Sequence, residues 1–257
     1  MTDDRALMAE RSTWDFDWRP ADFAALDRPD VYAWSYTGGW AGARGVGRAT
    51  WRDREVASKL PEIAAFFARQ GRSIRWYVGP STTSRELVRI LSERTTEVHE
   101  PRLMSVAIGD ANFRINEAVE IRRVTAGPLI REVIDAAFPE FTPERREASI
   151  AECDAYLSGG RRGGRLAAFI DAELVGFASW RDASDGRCVQ LVGAWTKPSQ
   201  RGRGVYSTLT AFRLARARER GLGLAVIVAD PTTSGPIVAK GGFADHGHLQ
   251  IFRDVRL

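Results

Sequence analysis

Cysteine, histidine, lysine and methionine are all scarce in this chain. Two cysteines and three histidines in 257 residues exclude a disulfide framework and a four-thiolate zinc site. With only His99, His246 and His248 to draw on, no metal is expected. Long hydrophobic runs are missing too. The apolar stretch Leu224–Ala229 has six residues, far short of the roughly 20 that cross a bilayer. The first residues, Met-Thr-Asp-Asp, are acidic and precede no apolar segment, so no secretory signal is legible and no membrane contact is expected. Charged residues make up 27% and hydrophobic ones 44%, which excludes disorder as the main state. The expectation is a cytoplasmic globular protein of one large or two small domains.

Three of the 37 basic residues are lysine (Lys59, Lys197, Lys240), so 34 are arginine. The net charge of +4 is uneven. Basic and acidic residues balance, 17 each, up to Ala118, and the surplus lies beyond it. Six basic residues and one acid, Glu219, fall between Arg201 and Arg220. That field suits a polyanionic ligand, and a solvated helix face is the bland alternative. No nucleic-acid recognition motif accompanies it, so nucleic acid is not expected as a partner.

Hydrophobic spacing and turn residues give a clear reading of the second half. Strands are expected at Val119–Val124, Leu166–Ile170, Leu174–Trp180, Cys188–Thr196, Leu224–Ala229 and His248–Val255. Helices are expected at Gly127–Ala137, Pro143–Leu157 (capped by Thr142), Gly204–Arg220 and Ser234–Lys240. In the first half the pattern predicts helices at Glu62–Arg69 and Ser84–Leu91, and strands at Ile74–Val78 and Leu103–Ile108. Pro61 is expected to interrupt the first helix. Arg161–Arg165 reads as a solvated loop. The five tryptophans Trp14, Trp18, Trp34, Trp40 and Trp51 read as core or as a substrate-pocket wall. A weak repeat at an offset of 150 aligns Gly71 with Gly221, Val78 with Val228, and Thr82-Thr83-Ser84 with Thr232-Thr233-Ser234. The fold class is therefore α/β, an α+β arrangement of two related units. Each is a central mixed β-sheet flanked by helices, and the units are expected at 1–117 and 118–257.

The segment that points to chemistry is Ala194-Trp195-Thr196-Lys197-Pro198-Ser199-Gln200-Arg201-Gly202-Arg203-Gly204-Val205-Tyr206. A strand runs into a loop with two glycines and then opens a long helix. Glycine lets backbone approach a ligand. The first turn of a helix presents unpaired N–H groups and the positive end of its dipole. Together they suit a pyrophosphate, with Arg201 and Arg203 as charge-assisted donors. The string is neither Gly-x4-Gly-Lys-Ser/Thr nor Gly-x-Gly-x-x-Gly, which excludes the nucleotide loops those patterns mark. A formal second match, Arg44-x-x-Gly47-x-Ala49 within Gly42–Ala49, reads as a loop or strand edge. Trp51–Val56, which matches Arg201–Tyr206 at the repeat offset, contains no glycine.

Arg201-x-x-Gly204, set after a strand and Pro198 and opening a long helix, resembles the acetyl-CoA loop of the GNAT superfamily of N-acetyltransferases. The hairpin around Asp171–Glu173 before it and Lys240-x-Gly242-Phe243 after it agree. Trp76-Tyr77-Val78-Gly79-Pro80-Ser81 resembles a segment of tandem GNAT proteins with a degenerate first copy. The resemblance implies acetyl-CoA held where Cys188–Thr196 and Leu224–Ala229 splay apart in the C-terminal unit, with Gly193 as the bulge. Backbone of Ala194, Trp195 and Thr196 is expected to pair with the pantetheine arm. Amides of Gly202, Arg203, Gly204, Val205 and Tyr206 are expected to meet the pyrophosphate. It further implies transfer of acetyl to a small-molecule or peptide primary amine by direct attack in a ternary complex.

The sequence departs from the family pattern in three places. Tyr206 stands where the loop ends in glycine or alanine. Val238 stands where a tyrosine acid is common. The strand before the loop has no carboxylate, Gln190 being its polar residue before Thr196. Asp230, Ser234 and Tyr206 are the substitute catalytic candidates, against cap or turn roles for the first two. The alternative is a non-catalytic acyl-CoA-binding or regulatory module on the same scaffold. The acceptor and the oligomeric state are left open.

Overall fold

In the computed structural model, which describes residues 4–36, 44–68, 74–125, 127–159 and 161–257, the chain builds two sheets. The first half runs α1 (Asp4–Arg11), β1 (Ala24–Arg28), β2 (Val31–Ser35), β3 (Arg44–Gly47), α2 (Asp53–Ala68), β4 (Ile74–Val78), α3 (Arg85–Arg94), β5 (Glu97–His99) and β6 (Arg102–Ala107). The second continues with β7 (Glu120–Val124), α4 (Pro128–Ala137), α5 (Pro143–Ser158), β8 (Gly163–Ile170), β9 (Glu173–Asp182), β10 (Val189–Thr196), α6 (Val205–Glu219), β11 (Leu224–Ala229), α7 (Ser234–Lys240), β12 (Ala244–His248) and β13 (Gln250–Val255). Gly71, Trp40, Gly42 and Ala43 lie outside the described residues. Among the described residues no helix is long and apolar enough to cross a membrane.

The first sheet has the order β1-β2-β3-β4-β13-β5 and the second β12-β6-β11-β10-β9-β8-β7. Each contains one parallel pair, β3 with β4 and β10 with β11, in an otherwise antiparallel set. The two halves exchange a strand. β6 inserts between β11 and β12, and β13 inserts between β4 and β5. The two halves of the chain thus each complete the other's sheet. Spacing of apolar residues reveals a strand and not its neighbour, so the exchange was invisible in the sequence. It is also why the expected strand His248–Val255 is two strands. The chain breaks at Leu249, which is fully buried, as it passes from one sheet to the other.

Local chemistry accounts for most elements. Ser84 caps α3, its Oγ accepting from Leu87 N at 3.1 Å while donating to Asp53 Oδ1 at 2.7 Å. Thr142 caps α5, with Pro143 at the first helical position. Pro61 does not interrupt α2, which begins nine residues earlier than Glu62 at Asp53 and passes through it. Its ring sits at an exposed position, so the loss is one backbone bond and local strain, about 3 kcal/mol. Burial of Val56, Leu60, Ile63 and Phe67 on the opposite face, each worth roughly 1.5–3 kcal/mol, outweighs it.

The continuous apolar run of β11 reflects burial on both faces. Ala225, Ile227 and Ala229 enter the core beneath α6, with Leu209, Val205 and Val238. Val226 packs on the other face with Met8, Ala9, Trp34 and Tyr77 from the first half. Trp14, Trp34 and Trp51 are buried core, whereas Trp18 meets Tyr156 edge-on. Cys153 and Cys188 are buried small side chains.

Arg161–Arg165 is not a solvated loop. Arg162 bonds Asp15 at 3.1 Å, Gly163–Arg165 open β8, and Arg165 Nη1 lies 2.7 Å from Cys153 Sγ. Asp15 also accepts from Ser184 N at 2.8 Å and Gln190 Nε2 at 2.9 Å. Burial pushes its pKa up, but these bonds and the Arg162 guanidinium hold it below the usual carboxylate value.

Candidate active site

β10 and β11 pair only from Val189–Leu191 to Ala225–Ile227. Gly193 then adopts φ +50°, at a register shift between Val192 and Ala194. This is the bulge expected from the sequence. Beyond it β10 stays on β9 as far as Thr196 opposite Gly176, while β11 stays on β6 as far as Ala229 opposite Arg102. The strands diverge around a cleft of about 850 Å³. Ala194, Trp195 and Thr196 line it, and on that side their backbone has no strand partner among the described residues. An extended amide-bearing ligand can complete the ladder there, as an added strand does.

The loop carries the chain from β10 into α6 through one 3₁₀ turn, Pro198–Gln200. Gly202 and Gly204 have φ of +76° and +77°, a region that L side chains avoid. The amides of Gly202 to Ser207 make no hydrogen bond among the described residues; Thr208 N is the first to bond, to Gly204 O at 2.9 Å. The helix therefore offers its unpaired donors and positive end to the cleft. Arg201, Gly202, Gly204, Val205 and Tyr206 line it. Arg203 does not. Its guanidinium bonds Gln200 Oε1, and it faces an adjoining depression with Arg114.

Two contacts fix the loop. Asn116 donates from Nδ2 to Arg203 O at 2.8 Å and from its backbone N–H to Thr208 Oγ1 at 2.9 Å. Gly176 lets α6 lie close on β9, since a Cβ there would stand 2.9 Å from both Val205 Cγ1 and Trp195 O.

Asp230, Ser234 and Tyr206 all line the cleft. Asp230 Oδ1 accepts from Thr232 N (2.9 Å), Thr232 Oγ1 (2.7 Å), Thr233 N (2.9 Å) and Thr233 Oγ1 (3.0 Å). The Thr232 bond leads the set that holds its pKa below the usual value, which weakens it as a base. Ser234 Oγ accepts from Asp230 N at 3.0 Å, leaving its O–H to donate elsewhere. Val238 is fully buried in the core.

Two residues of the cleft wall were not found by sequence reasoning. Arg213 is 1% exposed and bonds Ser179 O at 3.1 Å, Thr210 Oγ1 at 3.0 Å and Leu209 O at 3.4 Å. Its guanidinium lies 5.8 Å from the Tyr206 ring centre, and burial pulls its pKa down. The available signal was its spacing, four and eight residues after the core positions Leu209 and Val205 on one helix. His99 had no such signal, because it belongs to the other half and reaches the cleft only through the strand exchange. No group of three or more His, Cys, Asp or Glu among the described residues could hold a metal ion.

Residues 129–234 match the model of the "Acetyltransferase (GNAT) family". No curated protein matches the chain. A solved GCN5-related N-acetyltransferase from Kribbella flavida is similar with TM-score 0.73 and 19% identity, covering 99% of this chain and 96% of that one. A functionally unknown conserved protein from Staphylococcus epidermidis is similar with TM-score 0.69 and 12% identity, covering 93% and 96%. A tandem GNAT protein from the clavulanic acid biosynthesis pathway is similar with TM-score 0.62 and 13% identity, covering 92% and 84%. The likeness to these structures shows the fold, and the segment that matches the family model carries both diverging strands, the loop and α6.

Proposed function

We propose that the cleft binds acetyl-CoA and that the protein transfers its acetyl group to a primary amine, attacked directly in a ternary complex. The observation that carries this reading is the free edge of β10 followed, across one short loop, by the unpaired amides at the start of α6. One bonds extended amides and the next bonds phosphates, in the order in which pantetheine and pyrophosphate follow one another. Ala194, Trp195 and Thr196 hold the arm. Gly202, Gly204, Val205 and Tyr206 give backbone donors to the pyrophosphate, Arg201 adds charge, and Arg203 meets the ligand at the outer rim. Ser234, with a free O–H, stabilises the departing thiolate. Asp230 shapes the turn that presents Ser234, and Tyr206 closes the wall beside Arg213.

The first half is a copy that has lost this site. At the position matching Arg201 stands Trp51, buried against Trp76 with ring centres 6.0 Å apart. A bulky indole there leaves no phosphate loop.

Calorimetric titration with acetyl-CoA, followed by thiol release with a panel of spermidine, an aminoglycoside, polylysine and a tripeptide with a free N-terminus, tests the proposal. Binding with turnover of at least one amine is expected. Absence of binding overturns it. The second reading, a module that binds acyl-CoA without turnover, is favoured by Val238 and by the engaged carboxylate of Asp230. Tight binding with no turnover of any amine selects it.

A further inference from the structure

The strand exchange brings one imidazole from the first half into the cleft of the second. We propose that His99 is the catalytic base that takes the proton from the acceptor amine; this deepens the acetyltransferase reading above and rests on it.

His99 ends β5, the edge strand of the first sheet, and pairs with Ile251 of β13. His99, Pro101 and Ile251 form one wall of the cleft, together with Val228 and Asp230 at the end of β11. His99 also lines a second groove of about 570 Å³, with Glu100, Asp245 and the residues Gly235, Pro236 and Ala239 of α7. His99 thus borders both spaces. In this proposal the first holds the acyl donor and the second, which Arg102 and His248 also line, admits the amine.

The three histidines differ in their engagements. His246 Nε2 lies 2.8 Å from Ser105 Oγ, and His248 Nδ1 lies 2.8 Å from Arg102 Nη1. The His99 ring makes no hydrogen bond among the described residues, so both nitrogens are available to a ligand.

The other groups of the cleft wall do not supply a base. Its one carboxylate, Asp230, already accepts four hydrogen bonds. Arg201 and Arg213 are cations, and the serine, threonine and tyrosine hydroxyls are weak bases at neutral pH. The charged groups around His99 are also committed. Glu100 accepts from Gln250 at 2.8 Å, and Asp245 pairs with Arg102 at 2.9 Å. Arg253 of β13 pairs with Glu97 at 2.9 Å, and α7 brings no charge to the groove.

In the proposed step the amine nitrogen attacks the thioester carbonyl carbon. The amine reacts in its neutral form: the C–N bond forms as the C–S bond breaks, His99 accepts the one proton lost from nitrogen, and the thiolate takes one proton from solvent. A neutral imidazole is suited to this because its unprotonated ring nitrogen can accept a proton.

The test measures kcat/KM from pH 5.5 to 9 with whichever panel amine turns over fastest, for the full-length protein and for His99→Ala and His99→Gln. Acetyl-CoA affinity is followed by calorimetry in parallel. A fall of about 10²- to 10⁴-fold is expected in both variants, with the acidic limb of the profile lost and acetyl-CoA affinity unchanged. Added imidazole should restore rate to His99→Ala and leave His99→Gln unaffected. Unchanged kinetics, or a fall with neither loss of the acidic limb nor rescue by imidazole, overturns the assignment while leaving the acetyltransferase reading intact. No turnover by the unaltered protein overturns both.

Discussion

Gly204 gives the sharpest test of the phosphate site, because conformation and charge can be separated there. Its φ of +77° is strained for any side chain, but a Cβ would meet only Asn116 Cβ, at an ordinary 3.6 Å. Strain is therefore the whole structural cost, about 1–2 kcal/mol for alanine. In a protein of this size that lowers Tm by roughly 2–8 °C, at about 2–4 °C per kcal/mol. Glu carries the same strain plus a negative charge that would face the pyrophosphate of the proposed ligand. At about 4 Å two like charges repel by about 1 kcal/mol in water and 4 kcal/mol at an effective dielectric of 20. That range weakens binding by about 5- to 10³-fold. Asn tolerates the left-handed region and is neutral. Thermal denaturation and acetyl-CoA titration on Gly204→Ala, Gly204→Asn and Gly204→Glu should show similar Tm losses for Ala and Glu, a smaller one for Asn, and lost affinity only for Glu. If Gly204→Glu shows its Tm loss but binds acetyl-CoA as tightly as the unaltered protein, the phosphates do not sit at the start of α6.

Gly176→Val should overpack the contact between α6 and β9 and cost about 1–3 kcal/mol, read as a lower midpoint in urea with weakened acetyl-CoA binding. Asp15→Asn tests linkage. The folded pKa of Asp15 is depressed, so its contribution is present above its ordinary value of 3.8 and is lost as pH falls through the lower folded value. The variant should be less stable at neutral pH, and its stability should fall less steeply in acid. Residues 118–257 expressed alone lack β6 and leave β13 unpaired, so the fragment should be insoluble or refolded differently, and co-expression with 1–117 should recover soluble complex. A soluble fragment with the circular dichroism and acetyl-CoA affinity of the full chain contradicts this.

The site was legible where it is local and illegible where it is assembled. The Gly-rich loop, the bulge at Gly193 and the cap at Thr142 each depend on a few adjacent residues whose backbone demands are written in their types. The direction in which Arg203 turns was not legible, because a loop pattern does not fix it; the bond to Gln200 and the depression beside Arg114 do. Asp230 is a similar case, since the threonines that occupy its oxygen are visible in sequence but their convergence is not. In the first half the short strands β1, β2 and β5 and the helix α1 escaped detection. Their residues are too few or too mixed to show a period, and they are held by tertiary contacts such as Glu10 with Ser81, at 2.7 and 2.8 Å. His99 is the extreme instance: nothing near it in sequence relates to the cleft.

The exchange also explains how the cleft can stay open. A strand that leaves its neighbour forfeits a ladder of hydrogen bonds, and buried backbone groups left unpaired are costly. β11 leaves β10 after Ile227, yet Val228 and Ala229 remain paired to Leu103 and Arg102 of β6. β10 leaves β11 but keeps β9 through Thr196. Each diverging strand thus retains one full neighbour, and for β11 that neighbour comes from the first half of the chain. Leu103, Met104 and Val106 of β6 are all buried in the second sheet's cores, so the strand is fixed there by side chains as well as by backbone. The first half is therefore not idle. It braces one edge of the cleft, covers the opposite face of β11, and brings His99 to the point where the strands part.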